Sequence, residues 1–175
     1  NLGIAQGLAA AGARIAIISR KIEKVEAAVA GLKASGAEAL GWAVDVRDYA
    51  AVEKSLADTH AAWGPIDIVV SGAAGNFLAP VLGMSANAFK TVIDIDLLGT
   101  FHVLRASHAF LRKPGASLIS ITAGQAERAS LFQAHVCAAK AGINMLTKCL
   151  ALERGPGGGR VNAISPGPIA ETEGM

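Results

Sequence analysis

Apolar residues in this chain fall into short runs, and longer amphipathic stretches separate the runs from one end to the other. Residues 14–19 (RIAIIS), 39–44 (ALGWAV), 66–75 (IDIVVSGAAG), 116–122 (ASLISIT) and 160–168 (RVNAISPGP) are brief and mostly apolar. Gly, Pro or Asp bounds most of them, as expected of buried strands. Between them, Ile22, Val25, Val29 and Leu32 step by three and four along one helix face, and Gly36 stops that helix. The same reading predicts helices over residues 1–12, 49–63, 86–111 and 130–153. Apolar strands alternating with crossover helices imply a parallel sheet covered on both faces, an α/β doubly wound (Rossmann) architecture. Such a sheet normally begins with a strand and a Gly-rich turn, whereas the first element here is a helix. The expectation is therefore one domain over residues 1–175, with a first strand before Asn1 and a further segment after Met175.

Composition narrows the class. Hydrophobic residues make up 52% and charged residues 17%, so the chain can bury a large core and disorder is not expected. The net charge of +2 comes without a dense Lys/Arg block, so neither nucleic acid nor a membrane is expected as a partner. No apolar run is long enough to cross a bilayer. Cys137 and Cys149 fall on one predicted helix, about 18 Å apart at the helical rise, too far for a disulfide. Unpaired thiols suit a reducing compartment. His102 and His108 point to different helix faces and no Cys/His cluster has ligand spacing, so no metal is expected.

In a doubly wound sheet, ligands sit beyond the carboxyl ends of the strands. Asn1 and Leu2, at the start of the first helix, would offer backbone N–H groups to a phosphate. Gly3 and Gly7 are expected to let that helix approach the sheet. After the first strand come Ser19, Arg20 and Lys21, where an NAD enzyme usually places an acidic residue for the ribose 2′-OH. A hydroxyl and two cations suit a 2′-phosphate instead, hence NADP(H). The competing reading is a solvated basic helix start. Asp45, at the next strand end, is a candidate for the adenine amino group, or else an N-cap or turn residue.

These features resemble the short-chain dehydrogenase/reductase family over nearly all of the chain. NLGIA is similar to the helix after the family's Gly-rich turn. Asp45-Val46 matches its adenine-site pair, and Gly72-Ala73-Ala74-Gly75 matches its Asn-Asn-Ala-Gly loop with both asparagines replaced. RVNAISPGPIAET matches the segment that shapes the nicotinamide site, with Pro166, Gly167 and Ile169 along it and Thr172 where a threonine often bonds the cofactor. Lys140 matches the lysine that holds the nicotinamide ribose. The resemblance implies cofactor contacts at these positions.

Three departures carry more information. The family's tyrosine is Val136, its serine is Ala123, and the asparagine of its long helix is Asp96. The chain's single tyrosine, Tyr49, lies on another helix near the adenine end. Reducing a ketone makes a strongly basic alkoxide that needs an acid on the oxygen. Reducing a C=C bond conjugated to a thioester instead moves charge onto the thioester oxygen as an enolate and protonates a carbon. Loss of the phenol damages the first reaction and is compatible with the second. Within the family, SGAAGNFLAP, FKTVIDIDLLGTFHV, QAHVCAAKAG and PGPIAETEGM are similar to the peroxisomal-type 2,4-dienoyl-CoA reductases and their bacterial relatives. That similarity implies NADPH-dependent reduction of a 2,4-dienoyl-CoA to a 3-enoyl-CoA in fatty acid metabolism, with an acyl-CoA substrate and no flavin.

The expected roles follow from that likeness. Lys140 holds the nicotinamide ribose. Asp96 holds a water beside it or relays a proton, unless it is simply a buried partner for Lys140. His135 donates to the thioester or contacts CoA, or is an ordinary helix residue. Thr122 donates in place of the absent serine, and Asn76 and Phe77 touch nicotinamide or substrate. Two other readings stay open: a carbonyl reductase in which His135 replaces the tyrosine, and a catalytically silent NADP(H)-binding sensor or scaffold. The two long helices are rich in apolar residues, so a homo-oligomer, a tetramer by family likeness, is expected. The expected location is cytoplasmic, or peroxisomal in a eukaryote.

Overall fold

The computed structural model describes residues 1–167. Helix α1 (Leu2–Ala10) leads to strand β1 (Ile15–Ser19), then α2 (Ile22–Ala34), β2 (Ala39–Ala43), α3 (Tyr49–Trp63) and β3 (Ile68–Ser71). After a long loop come α4 (Ala86–Val92), a π-helical turn (Ile93–Leu98), α5 (Gly99–Ser107), β4 (Ser117–Ile121), α6 (Ala134–Arg154) and β5 (Arg160–Ile164). All strand pairs are parallel, as the alternation of strand and helix predicts.

The ladder hydrogen bonds form two groups, β1–β2 and β3–β4–β5, and among the described residues β1 and β3 do not pair with each other. The core nevertheless runs through both. Val44, Val46, Val52, Val69, Leu104 and Leu118 form its centre, and Ile18 of β1 and Trp42 of β2 pack against it. Of the predicted stripe on α2, Val25 and Leu32 are buried and Val29 is half-buried, whereas Ile22, at the first position of the helix, is exposed. Asp48 caps α3 by accepting from the Ala51 N–H at 3.0 Å, and Ser85 caps α4 in the same way through Ala88.

Three expectations need correction. The helix predicted over 86–111 is interrupted by the π turn and ends at Ser107, because Leu111 leaves the helix to bridge Ile66. The helix predicted from Ser130 begins at Ala134, because Phe132 takes a φ of 63°, which no right-handed helix permits. Gly3 and Gly7 mark no close approach, since a Cβ at either would meet nothing within 4 Å and α1 buries none of its residues.

Close approach occurs instead on either side of the π turn. A Cβ on Gly99 would sit 2.5 Å from Val46 Cγ2, and one on Gly142 of α6 would sit 2.8 Å from Leu97 Cδ2. Only glycine lets these backbones come so near. Together the two contacts clamp the π turn between the β2 exit and α6, with Asp96 inside it.

Candidate active site

The π turn and α6 bring Asp96 and Lys140 together at the carboxyl ends of β3 and β4. Asp96 is fully buried, and its Oδ1 accepts the Gly75 N–H at 2.6 Å. Its Oδ2 faces Lys140 Nζ at 3.2 Å. Lys140, itself 6% exposed, also donates to the Ile121 carbonyl at 3.4 Å. Burial pushes the Asp96 carboxyl above its ordinary range, while the Lys140 charge, the Gly75 N–H and His135 pull the other way. A π turn adds one residue to a helical circuit and commonly marks a functional position. Here it carries the buried carboxylate.

His135 lies five residues before Lys140 on α6 and is also fully buried. Neither of its ring nitrogens has a hydrogen-bond partner among the described residues. Its ring lies 4.2 Å from that of Phe77 at a tilt of 31°. Buried polar atoms are normally paired, so an unpaired imidazole beside an ion pair marks a place where another polar group belongs. Val136, at the tyrosine position, is buried in a small apolar cluster with Val92 and Ala139. Tyr49 is remote from this pair: its hydroxyl donates to Glu53 and accepts from Arg105. Thr122 is buried and directs its hydroxyl to the Lys140 carbonyl at 3.4 Å, bracing the α6 backbone.

Around this centre, Ala73 packs on the core, Ala74 is exposed, and Gly75 supplies the N–H already noted. Asn76 accepts from Gln133 at 3.4 Å, and Gln133 in turn accepts from Gln125 at 3.1 Å. Pro166 and Gly167 follow β5, at the same end of the sheet. Ile169 and Thr172 lie outside the described residues.

The β1 and β2 end is built differently. Ser19 closes β1, and Arg20 and Lys21 are exposed where α2 begins. The carboxylate of Asp45 is gripped by Arg47, with Nη2 to Oδ2 at 2.6 Å and Nε to both oxygens, and this guanidinium holds the carboxyl below its ordinary range. Asp45 is therefore a turn carboxylate engaged by its neighbour, and the N-cap of α3 is Asp48. Val46 is buried under Gly99, and its carbonyl bonds His102 Nδ1 at 2.8 Å. Asn1 turns its side-chain amide to the Gly72 carbonyl at 2.7 Å, tying α1 to the end of β3, and Leu2 opens the helix exposed.

The site thus brings together Asp96, Lys140, His135, Phe77 and the Gly75 loop, and leaves Ser19, Arg20, Lys21 and Asp45 as a separate group. Two residues escaped the sequence reading. Asn144 is four positions after Lys140, hence on the same helix face, and its buried Oδ1 has no partner among the described residues. Gln133 bridges the two loops through Asn76 and Gln125. The i, i+4 spacing was the available signal for Asn144, whereas nothing local marks Gln133.

Comparison with known proteins points the same way. The family model described as Enoyl-(Acyl carrier protein) reductase matches residues 2–174. The peroxisomal 2,4-dienoyl-CoA reductase of Rattus norvegicus, a (3E)-enoyl-CoA-producing enzyme by name, is 43% identical over 166 residues, 94% of this chain and 57% of the relative. The like-named protein of Saccharomyces cerevisiae is 42% identical over 174 residues, 97% of this chain and 60% of the relative. The chain therefore spans about three fifths of the length of these relatives. Among solved structures, a short chain dehydrogenase from Burkholderia cenocepacia in complex with NADP aligns with a TM-score of 0.88 at 28% identity, covering 94% of this chain and 67% of that one.

Proposed function

Because the chain belongs to the enoyl-(acyl carrier protein) reductase family of short-chain dehydrogenases/reductases, we propose that it reduces a conjugated C=C bond of a 2,4-dienoyl-CoA to a 3-enoyl-CoA with NADPH. The overall change consumes one NADPH and one proton and yields NADP⁺. One observation carries the reading: a buried Asp96–Lys140 pair stands beside a position where Val136 replaces the phenol that ketone reduction needs. The relatives named as dienoyl-CoA reductases support the same substrate class.

The residues present fit a nicotinamide dinucleotide carrying a 2′-phosphate. Arg20 and Lys21 are exposed cations at the β1 end, with Ser19 before them, and Lys140 is suited to the ribose. Asn1, Leu2, Asp45, Val46 and the Ala73–Ala74–Gly75 loop would line the remainder, with Pro166 and Gly167 at the nicotinamide end. When bound, this group supplies hydride. The protein's own contribution is electrostatic and protic. Lys140 lowers the cost of negative charge developing on the substrate. Asp96, whose carboxyl burial pushes upward, is suited to hold a proton at Oδ2 or to orient a water that delivers one to carbon. His135 offers an unpaired ring nitrogen to the thioester oxygen, Asn76 and Phe77 border that place, and Thr122 acts by positioning Lys140.

We infer also that the protein is a homo-oligomer, since Phe101, Met145 and Leu152 on α5 and α6 are 41%, 59% and 81% exposed. A peroxisomal location follows the relatives' names, and no helix among the described residues is long and apolar enough to cross a membrane. The deciding assay supplies the full-length protein with NADPH and, separately, a 2,4-dienoyl-CoA and a 3-ketoacyl-CoA. Turnover of the dienoyl substrate is expected. Turnover of the ketone alone would replace this reading with a carbonyl reductase using His135, and tight NADPH binding without turnover would make the protein a silent binder.

A further inference from the structure

Phe132 is the only non-glycine residue with a positive φ among the described residues, at 63°. A bulky side chain avoids this region because its Cβ crowds the backbone, so the conformation persists only where the surroundings fix it. Here the Phe132 carbonyl accepts the Ala79 N–H at 3.0 Å. The next residue, Gln133, bonds Ser130 through its N–H at 3.2 Å and Asn76 through its side chain at 3.4 Å. Two loops, residues 76–83 and 127–133, are thereby tied together. The strained backbone leaves the ring 45% exposed beside the site.

The same two loops expose Leu131 at 79%, Leu78 at 71%, Val81 at 64% and Leu82 at 102%. Single exposed apolar residues are ordinary, but a group of them on two joined loops next to a buried ion pair is a binding feature. Phe77, on the first loop, stacks on His135 and connects this rim to the reaction centre. Residues 76–83 and 130–133 carry no charge, and the second loop's two charges, Glu127 and Arg128, stand at its start, so the stretch around Phe132 has nothing to offer the phosphates of CoA. It suits hydrocarbon.

We propose that these two loops seat the acyl chain of the substrate and that Phe132 is a specificity-determining residue, favouring chains long enough to reach it. The assignment rests on the dienoyl-CoA reading above. The strain at Phe132 then has a purpose: it holds the ring toward the ligand, where a relaxed backbone would let it turn away.

The test compares kcat/KM for 2,4-hexadienoyl-CoA and 2,4-decadienoyl-CoA in the full-length wild type, Phe132→Gly, Phe132→Ala and Leu131→Ser. The wild type should prefer the longer chain, and each variant should lower the long-to-short ratio, by about tenfold for Phe132→Gly. Phe132→Gly should also melt no lower than Phe132→Ala, since only glycine adopts this φ freely. A wild-type ratio in all three variants overturns the proposal while leaving the reductase reading intact. Equal losses on both substrates with a changed sedimentation coefficient would give the rim to a second copy and overturn it too. A wild type that reduces neither substrate removes the reductase reading, and this proposal with it.

Discussion

The two ends of the binding face are built on opposite principles. At β3, β4 and α6, the groups proposed to carry chemistry are buried and interlocked: Asp96 is fully buried, Lys140 is 6% exposed, and each is held by backbone partners from another element. At β1 and β2, Arg20, Lys21 and Arg47 stand in solvent. Charges in the first region cannot be changed one at a time, because each strands its partner in a low-dielectric place. Charges in the second act through a screened field and are individually weak. The contrast predicts a steep gradient of mutational effect from one end to the other.

The steepest effect is expected at Lys140. Lys140→Met leaves the Asp96 carboxylate buried without its counter-charge, which should cost about 3–5 kcal/mol in urea unfolding and abolish turnover. The loss should depend on pH in a definite sense. Asp96 in the folded protein already titrates above its ordinary value of 3.8, and losing the Lys140 charge moves it further up. A carboxyl with a raised folded pKa binds its proton more tightly when folded, so the Asp96 contribution to stability is fully present below 3.8 and is lost as pH rises through the folded value. A pH-independent loss below about 1 kcal/mol, the range of an exposed pair, would erase the contrast.

Asp96→Ala comes next. Turnover of the dienoyl substrate should fall by about a hundredfold, the scale of a lost proton-transfer group, while NADPH affinity changes little. If Asp96 holds that proton, the limb on which kcat/KM falls as pH rises should disappear with it. Unchanged turnover would reduce Asp96 to a structural counter-ion.

The gradient was only partly visible in the sequence. Strands and helices were legible because burial periodicity is local: the α3 bounds at Tyr49 and Trp63 and the α2 stripe are set by Asp48, Gly64 and the spacing of Val25 and Leu32. Asp96, Lys140 and His135 could be singled out, since His135 adjoins Val136 at the tyrosine position and family likeness pairs Lys140 with the π-turn residue. The π turn itself could not. It depends on Gly99 meeting Val46 and Gly142 meeting Leu97, which are contacts between segments 53 and 45 residues apart in number only once the chain has folded. The start of α6 was hidden for the same reason, because the Ala79 N–H that fixes Phe132 comes from another loop.

Gly142→Ala tests that hidden part. Its Cβ would meet Leu97 Cδ2 at 2.8 Å, so α6 and the π turn must separate or Leu97 must change rotamer. Overpacking of this kind should cost about 1–3 kcal/mol. Because the strain is applied between Asp96 and Lys140, turnover should fall more than thermal stability alone explains. A stable variant with wild-type turnover would mean that the pair is not positioned by this contact.

The smallest effects belong to the exposed end, and there the identity of the cofactor is at stake. On the proposed reading, Arg20 and Lys21 carry the discrimination in favour of a 2′-phosphate, because among the described residues no carboxylate follows directly on β1 to prefer the free hydroxyl. Each exposed cation contributes little, so Arg20→Ala or Lys21→Ala should weaken NADPH binding by about fivefold, with NADH hardly affected. Raising the salt to about 1 M shortens the screening length to about 3 Å, and the difference between wild type and variant should shrink accordingly. The folding midpoint should not move, since neither side chain is packed. Titrating both dinucleotides at low and high salt separates the alternatives. Equal losses for NADPH and NADH would mean that the two cations merely shape the start of α2, and a salt-independent loss would mean that one of them is buried against the ligand as tightly as Lys140 is against Asp96.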